Sequence, residues 1–407
     1  MGAPHLHLAV ALDGTGWHPA SWREPDARPR DLLTAGHWAD LVAEAERGLL
    51  DLVTLEDALG SSPPGVTGRL DAVLVAARVA PLTRQIGIVP TQVVTHTEPF
   101  HASKAIATLD YVSTGRAGVR VRIAARPDDA ALFGRRTMPE IAVDATDPGP
   151  LVDLFDEAAD YVEVLRRLWD SWEDDAEIRD AATGRFVDRN KLHYIDFEGA
   201  HFSVRGPSIT PRPPQGQPVV AALAHRDVAF RLVGRSADLG FVTPRDAADA
   251  TTLVEAVRAE QDAAGRGGET VHVFGDVVVF LDGSAAAAAE RKERLDGLLG
   301  HEYVSDAHVF VGTPADLADL VLEWHAAGLS GLRLRPGTLP VDLTQITRGL
   351  VPELQRRDAF RTAYEADTLR GLLGLPRPAN RYAAAYEGLE TPRFAPSAPL
   401  TVSQDPH

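Results

Sequence analysis

G-V-R-V-R-I, from Gly118 to Ile123, alternates branched aliphatic side chains with arginines at period two. That period belongs to an extended strand, which sends successive side chains to opposite faces. Val119, Val121 and Ile123 then share one face, and Arg120 and Arg122 share the other. Seven further strand-like runs occur along the chain: Leu6–Leu12, Asp51–Leu55, Gln85–Pro90, Pro218–Leu223, Asp238–Val242, Val271–Leu281 and Gly331–Arg335. Amphipathic helical patterns lie between them, such as His37–Arg47 and Ala315–Ala327, the latter opened by Thr313 as N-cap and Pro314 in the first turn. Eight strand-helix units predict an α/β fold, a (β/α)8 TIM barrel. A doubly wound sheet would need a phosphate-binding G-x-G-x-x-G after an early strand, and that fingerprint is absent.

In such a barrel the apolar face of Gly118–Ile123 packs under the surrounding helices, so Arg120 and Arg122 are left for the lumen or the mouth. A buried guanidinium keeps its proton and needs carboxylates or a bound anion. Two arrangements satisfy it. The arginines pair with acids such as Glu56 and Asp57 and plug the barrel, or they join His225 in holding an anionic ligand. Arg120, nearer the middle of the barrel, is expected in the plug, and Arg122, nearer the C-terminal mouth, is expected to face a ligand.

The chain has 407 residues, of which 44% are hydrophobic and 24% charged, enough for a large core, and it is expected to form a single barrel domain over residues 1–407. Its net charge of −17 argues against nucleic acid or an anionic membrane as partner, both of which require a basic footprint. With no cysteine there is no disulfide framework, thiolate metal site or cysteine nucleophile. No signal-peptide pattern and no run of 18 apolar residues occurs, which makes the cytoplasm the expected location. The interval between the fourth and fifth strands is too long for a simple connection. It holds a helical pattern at Asp153–Trp172 and then residues 174–217, rich in Asp, Gly and Pro, expected to form a lid or side lobe over the mouth. Residues 376–407 read as a C-terminal arm that wraps the barrel or a partner subunit.

His18, in G-W-H-P after the first strand, is a candidate general base or substrate contact, with a structural role as the alternative. His96, His101 and His193 lack metal-ligand spacing, so no metal site is expected. Trp169 and Trp172, at i and i+3, read as packing anchors.

Several segments together resemble the bacterial luciferase-like flavin monooxygenases, within them the group of nitrilotriacetate, alkane and dibenzothiophene-sulfone monooxygenases. They include G-W-H-P-A-S-W-R (Gly16–Arg23), A-E-R-G-L-L-D-L-V-T-L-E-D (Ala45–Asp57), A-T-L-D-Y-V-S-T-G-R-A-G (Ala107–Gly118), P-R-P-P-Q-G-Q-P-V (Pro211–Val219), V-P-E-L-Q-R-R (Val351–Arg357) and T-L-R-G-L-L-G-L-P (Thr368–Pro376). The resemblance implies a (β/α)8 barrel that binds reduced FMN at the strand C-termini and oxygenates a small organic substrate with O2. It implies a flavin reductase as partner, and the assembly is expected to be a homodimer. A deazaflavin is a variant of the same expectation. Carried over residue by residue, the cofactor contacts fall on Asp57, on Thr91 and on the fourth strand, where Arg120 stands at a position that is usually asparagine and Ala124 at a serine. After the fifth strand they fall on Leu223, Ala224 and His225, where small and hydroxyl residues usually cradle the phosphate. Leu151, Leu154 and Phe155 stand near where the family places further phosphate donors. Arg122 joins this cofactor-binding set. These departures keep an alternative open, a barrel whose flavin site has degenerated into a non-catalytic or flavin-independent one.

Overall fold

The computed structural model describes residues 5–60, 68–141 and 149–383. Eight parallel strands close into a barrel: β1 (His7–Leu12), β2 (Leu52–Leu55), β3 (Gly87–Val93), β4 (Gly118–Arg122), β5 (Val219–Leu223), β6 (Leu239–Val242), β7 (His272–Leu281) and β8 (Gly331–Pro336). Each pairs with its neighbour in chain order, and β8 returns to β1 with His7 opposite Gly331. All eight runs read from the sequence are these strands. A further strand, His308–Gly312, lies beside the upper half of β7 outside the closed ring. Its V-F-V is too short a run to stand out from the capped helix that follows it.

The alternation along β4 has the expected outcome. Val119 and Val121 are fully or nearly fully buried in the layer between strands and helices, with Ile106, Tyr161 and Leu165 from the helices Pro99–Val112 and Gly149–Asp170. Each such buried aliphatic contributes about 1.5–3 kcal/mol relative to exposure. Gly118 and Arg120 face inward. The lower lumen is apolar, filled by Leu52, Val89, Val219, Leu239, Phe241 and Phe274. It is stoppered from below by Leu369, Leu373 and Leu375, in and just after the short helix Leu369–Leu372. The helix is fixed there by Leu369 N–H donating to Gly115 O at 3.0 Å and by His272 Nε2 donating to Leu373 O at 2.7 Å. Gly87 and Gly118 make room for the stopper, because a Cβ at either would run into Leu369.

The segment between β4 and β5 sits elsewhere than expected. The helix Gly149–Asp170 runs back down the barrel, and residues 171–217 form two small hairpins, Glu177–Asp180 with Arg185–Val187 and Phe197–Glu198 with Ser203–Val204. They are tied to the lower end of the barrel: Tyr111 Oη donates to Arg212 O at 2.8 Å, and Gln215 Nε2 donates to Ala117 O at 2.9 Å, just before β4. Residues 174–217 therefore do not cover the mouth, since a helix of this length carries the chain back to the strand N-termini before the lobe begins. The arm binds this lobe: Asn380 Nδ2 donates to Trp172 O at 2.8 Å and the Tyr382 ring stacks on His193 at 5.1 Å. The rest of the arm, 384–407, lies outside the described residues.

Candidate functional site

β4 delivers its two arginines to different heights of the lumen. Arg120 is fully buried, opposite Thr91 of β3 and Ala221 of β5. Its Nε and Nη2 donate to Thr91 Oγ1 at 3.1 and 2.6 Å, and Nη2 also donates to the Glu56 carboxylate. Glu56 is shared, accepting from Arg333 Nη1 at 3.3 Å. Arg333 Nε donates to Asp276 Oδ1 at 2.7 Å, and Arg335 Nε to Asp276 Oδ2 at 3.0 Å. Arg335 Nη1 then reaches Asp306 Oδ1 at 2.7 Å, on the rim. An ionic chain thus crosses the barrel from β4 through β2, β8 and β7. Aromatic faces complete it, with Arg333 4.0 Å over Phe241 and Arg335 4.5 Å over Trp17.

The charges hold one another in place. Burial would raise Glu56, but Arg120, Arg333, Arg122 and Arg335 outweigh it and keep the carboxyl below its ordinary range. Burial likewise opposes ionisation of Asp276, yet Arg333 and Arg335 hold it at about 2. Arg120 is lowered to about 10 by burial, with Arg333 and Arg122 acting in the same direction against Glu56, and remains a cation at neutral pH. Such a network fixes geometry more than it adds net stability, because desolvation offsets most of the Coulombic gain.

Above this floor, at the C-terminal mouth where (β/α)8 barrels place their chemistry, opens a cavity of about 450 Å³. Trp17, Arg122, His225, Arg226 and Asp306 line it together with apolar walls from Ile123, Leu151, Phe155, Leu223 and Leu232, and Arg120, Arg333 and Arg335 reach it from below. A second cavity of about 470 Å³ lies beside it over β2 and β3, lined by Asp57, Arg69, Thr91, Gln92 and Thr97 among others. The two meet where Thr91 supports Arg120 and where Arg122 Nη1 donates to Asp57 O at 2.7 Å.

The residues singled out from sequence are distributed unevenly over this site. Arg120, Arg122 and His225 line the first cavity and Asp57 and Thr91 the second. The Asp57 carboxylate caps backbone, accepting from Ala58 N–H at 2.7 Å and Ala72 N–H at 2.9 Å, and pairs with neither arginine. Burial and Asp71 raise its pKa against those two bonds. His225 Nδ1 lies 3.1 Å from Thr243 Oγ1 and Nε2 lies 3.7 Å from Asp306. Burial lowers its pKa, with Arg335 and Arg333 acting likewise against Asp306 and Asp276. Ala224 is fully buried on the helix side of β5 and lines neither cavity.

His18 is also misplaced for the catalytic role expected of it. It is fully buried, its Nδ1 accepts from Ala20 N–H at 3.0 Å, and its Nε2 donates to Asp296 Oδ1 at 3.1 Å. Both ring nitrogens are used in holding the loop after β1, so no lone pair is left for a substrate. Burial lowers its pKa, and Asp296 opposes the shift only in part. Conversely, Arg333, Arg335 and Asp276 belong to the site without being among the sequence candidates, although the sequence carries a signal for each. L-R-L-R in Gly331–Arg335 repeats the alternation of β4, and Asp276 is the lone acid in the long apolar run of β7.

The sequence pattern of one family, the luciferase-like monooxygenases, matches residues 17–305. The chain belongs to that family. It is 31% identical to N-acetyl-S-(2-succino)cysteine monooxygenase of Bacillus subtilis (strain 168) over 93% of this chain and 98% of the relative. It is 29% identical to nitrilotriacetate monooxygenase component A of Aminobacter aminovorans, over 94% and 99% of the two chains. In fold it is similar to the solved long-chain alkane monooxygenase, with a TM-score of 0.81 at 22% identity over 94% of this chain and 99% of that one. This luciferase-like monooxygenase is accordingly an enzyme of the oxidoreductase class, and its C-terminal mouth is where its chemistry is to be sought. Among the described residues no helix is long and apolar enough to cross a membrane, and no group of acids and histidines is placed to hold a metal ion.

Proposed function

We propose that this luciferase-like monooxygenase is the oxygenating component of a two-component system, taking reduced FMN from a separate flavin reductase and using it with O2 on a small organic substrate. The observation that carries the reading is the open cavity above the ionic floor: its volume of about 450 Å³ and its mixture of apolar walls and cationic groups suit an aromatic ring bearing a phosphate. The phosphate end belongs at Arg226 and His225, beside the N-terminus of the helix Asp227–Ser236, where exposed backbone N–H groups and the helix dipole favour an anion. Leu151 and Phe155 supply contact area there rather than hydrogen bonds. The ring end belongs over Arg120, held by Thr91 and Glu56, with Arg122 and Asp57 at the junction of the two cavities. Bound reduced FMN supplies the electrons with which oxygen is activated. The chain's own part is to orient the reactants and to exclude water with Ile123, Leu223 and Leu232.

The ionic floor gives the site its rigidity. Glu56 and Asp276 are held ionised and Arg120 and Arg335 are fixed by opposite charges, so none of them needs to reorganise when a ligand arrives. Residues 174–217 serve as a side lobe of the single domain, bound by the arm. We place the protein in the cytoplasm as a homodimer, for which Leu74 and Leu82, 71% and 54% exposed, offer apolar contact surface. Titration with oxidised and reduced FMN, followed by flavin-reductase-coupled oxygen uptake on candidate substrates, tests the function. The reading expects micromolar or tighter affinity for reduced FMN, and absence of binding in both redox states would remove it.

A further inference from the structure

Five guanidiniums line the mouth cavity: Arg226 is exposed at its outer rim, and of the four in the throat below it three have carboxylate partners. Glu56 takes Arg120 and Arg333, Asp276 takes Arg333 and Arg335, and Asp306 takes Arg335. Arg122 has none among the described residues. Its Nη1 donates to the Asp57 carbonyl at 2.7 Å, while the Asp57 carboxylate beside it is spent on the N–H groups of Ala58 and Ala72. Asp13, which feels Arg122 and Arg120, is itself paired with Arg69 at 3.4 Å. Arg122 is half-buried at the end of β4, on the wall of the first cavity and beside the second. A guanidinium taken partly out of water without a counter-charge is costly, and the rest of its planar fork of donors is free to receive one.

We propose that Arg122 is the anchor for a substrate carboxylate, so that the substrates of this enzyme are small organic acids bound through that group at the junction of the two cavities. This rests on the reading of the mouth as the oxygenation site and names the substrate class it takes. A monoanionic carboxylate suits the position better than a phosphate. One unmatched positive charge balances one negative charge, and the Asp13 and Glu56 carboxylates nearby oppose a dianion. The planar carboxylate also matches the guanidinium fork in two-point geometry. Arginine rather than lysine at this position, on a rigid strand and held from one side by a backbone carbonyl, points the remaining donors in a fixed direction. Oxygenation would then be confined to atoms a set distance from the acid group, which sets regioselectivity.

The probes are butyrate and benzoate against their uncharged analogues butyramide and benzamide, titrated into the full-length wild type, Arg122→Met and Arg122→Lys at constant ionic strength. Binding is followed by thermal midpoint with and without FMN, and FMN and riboflavin affinities are measured separately for each variant. The acids should bind wild type at least about tenfold more tightly than the amides, the preference should vanish in Arg122→Met, and Arg122→Lys should retain part of it. FMN and riboflavin affinities should shift in parallel, because Arg122 borders the ring end of the flavin site and not its phosphate end. No acid preference in wild type, or a preference that survives in Arg122→Met, overturns the proposal. So does a loss of FMN affinity in Arg122→Met with riboflavin unaffected, because Arg122 would then hold the cofactor phosphate. Acid preference in a protein that binds no flavin would sustain the carboxylate site while removing the flavin reading. If Arg122→Met does not fold, the acid-against-amide comparison in wild type and Arg122→Lys decides the matter.

Discussion

Replacing Asp276 by asparagine keeps the shape of the side chain and removes only its charge. In the native protein this carboxylate is fully buried and accepts from Arg333 Nε at 2.7 Å and Arg335 Nε at 3.0 Å, besides one further nitrogen of each. Its pKa is held at about 2, against 3.8 for the free side chain. A depressed carboxyl pKa contributes stability above the unfolded value, and the contribution fades as pH falls toward the folded value. A depression of that size corresponds to about 2–3 kcal/mol at neutral pH, of which about half is gone by pH 3. Breaking a buried pair by removing one partner costs about 3–5 kcal/mol. The lower end applies here, because Arg333 keeps Glu56 and Arg335 keeps Asp306. Asp276→Asn is therefore expected to lose about 3 kcal/mol at pH 7, read from urea midpoints with a common slope, and the gap to wild type should narrow to about half at pH 3. A cost below about 1 kcal/mol at pH 7, or a gap that stays constant in acid, would refute the picture of an ionised, load-sharing Asp276.

Arg120→Met, which retains the length but not the charge, should destabilise by about 2–4 kcal/mol because Glu56 keeps only Arg333 as a cationic partner; an unchanged urea midpoint would count against the floor. Leu369→Ala should lose about 2–5 kcal/mol through the cavity it opens at the foot of the barrel, and Gly87→Ala, which drives a methyl into the same leucine, should destabilise as well, both measured by thermal unfolding. Desolvation at the cavity wall, with Arg335 and Arg333 acting likewise against Asp306 and Asp276, lowers the pKa of His225, so the unfolded chain binds its proton more readily. Wild type should then lose stability relative to His225→Gln as pH falls from 7 to 5, and parallel pH profiles for the two proteins would contradict that assignment.

The barrel could be read from the chain because its signals are local. Eight apolar runs separated by helical patterns, and valines alternating with arginines in β4, decide which face of the strand meets the helices before any partner is known. The same alternation showed that Arg120 and Arg122 point inward, and an inward arginine needs a counter-charge. What the sequence does not contain is who supplies it. Glu56, Asp276 and Arg333 stand on three strands far apart in the chain, and they meet only because closure of the barrel brings β2, β7 and β8 to one throat. For the same reason His18 looked available and is not: its partner Asp296 lies 278 residues away, on the helix Ala285–Leu299. The side lobe was legible as an insertion but not in its position, since the length of the preceding helix, not the composition of the loop, determines at which end of the barrel it emerges. Arg122 differs from Arg120, Arg333 and Arg335 in what it lacks, and a missing counter-charge at a half-buried guanidinium becomes visible when the charges around it have been placed in three dimensions.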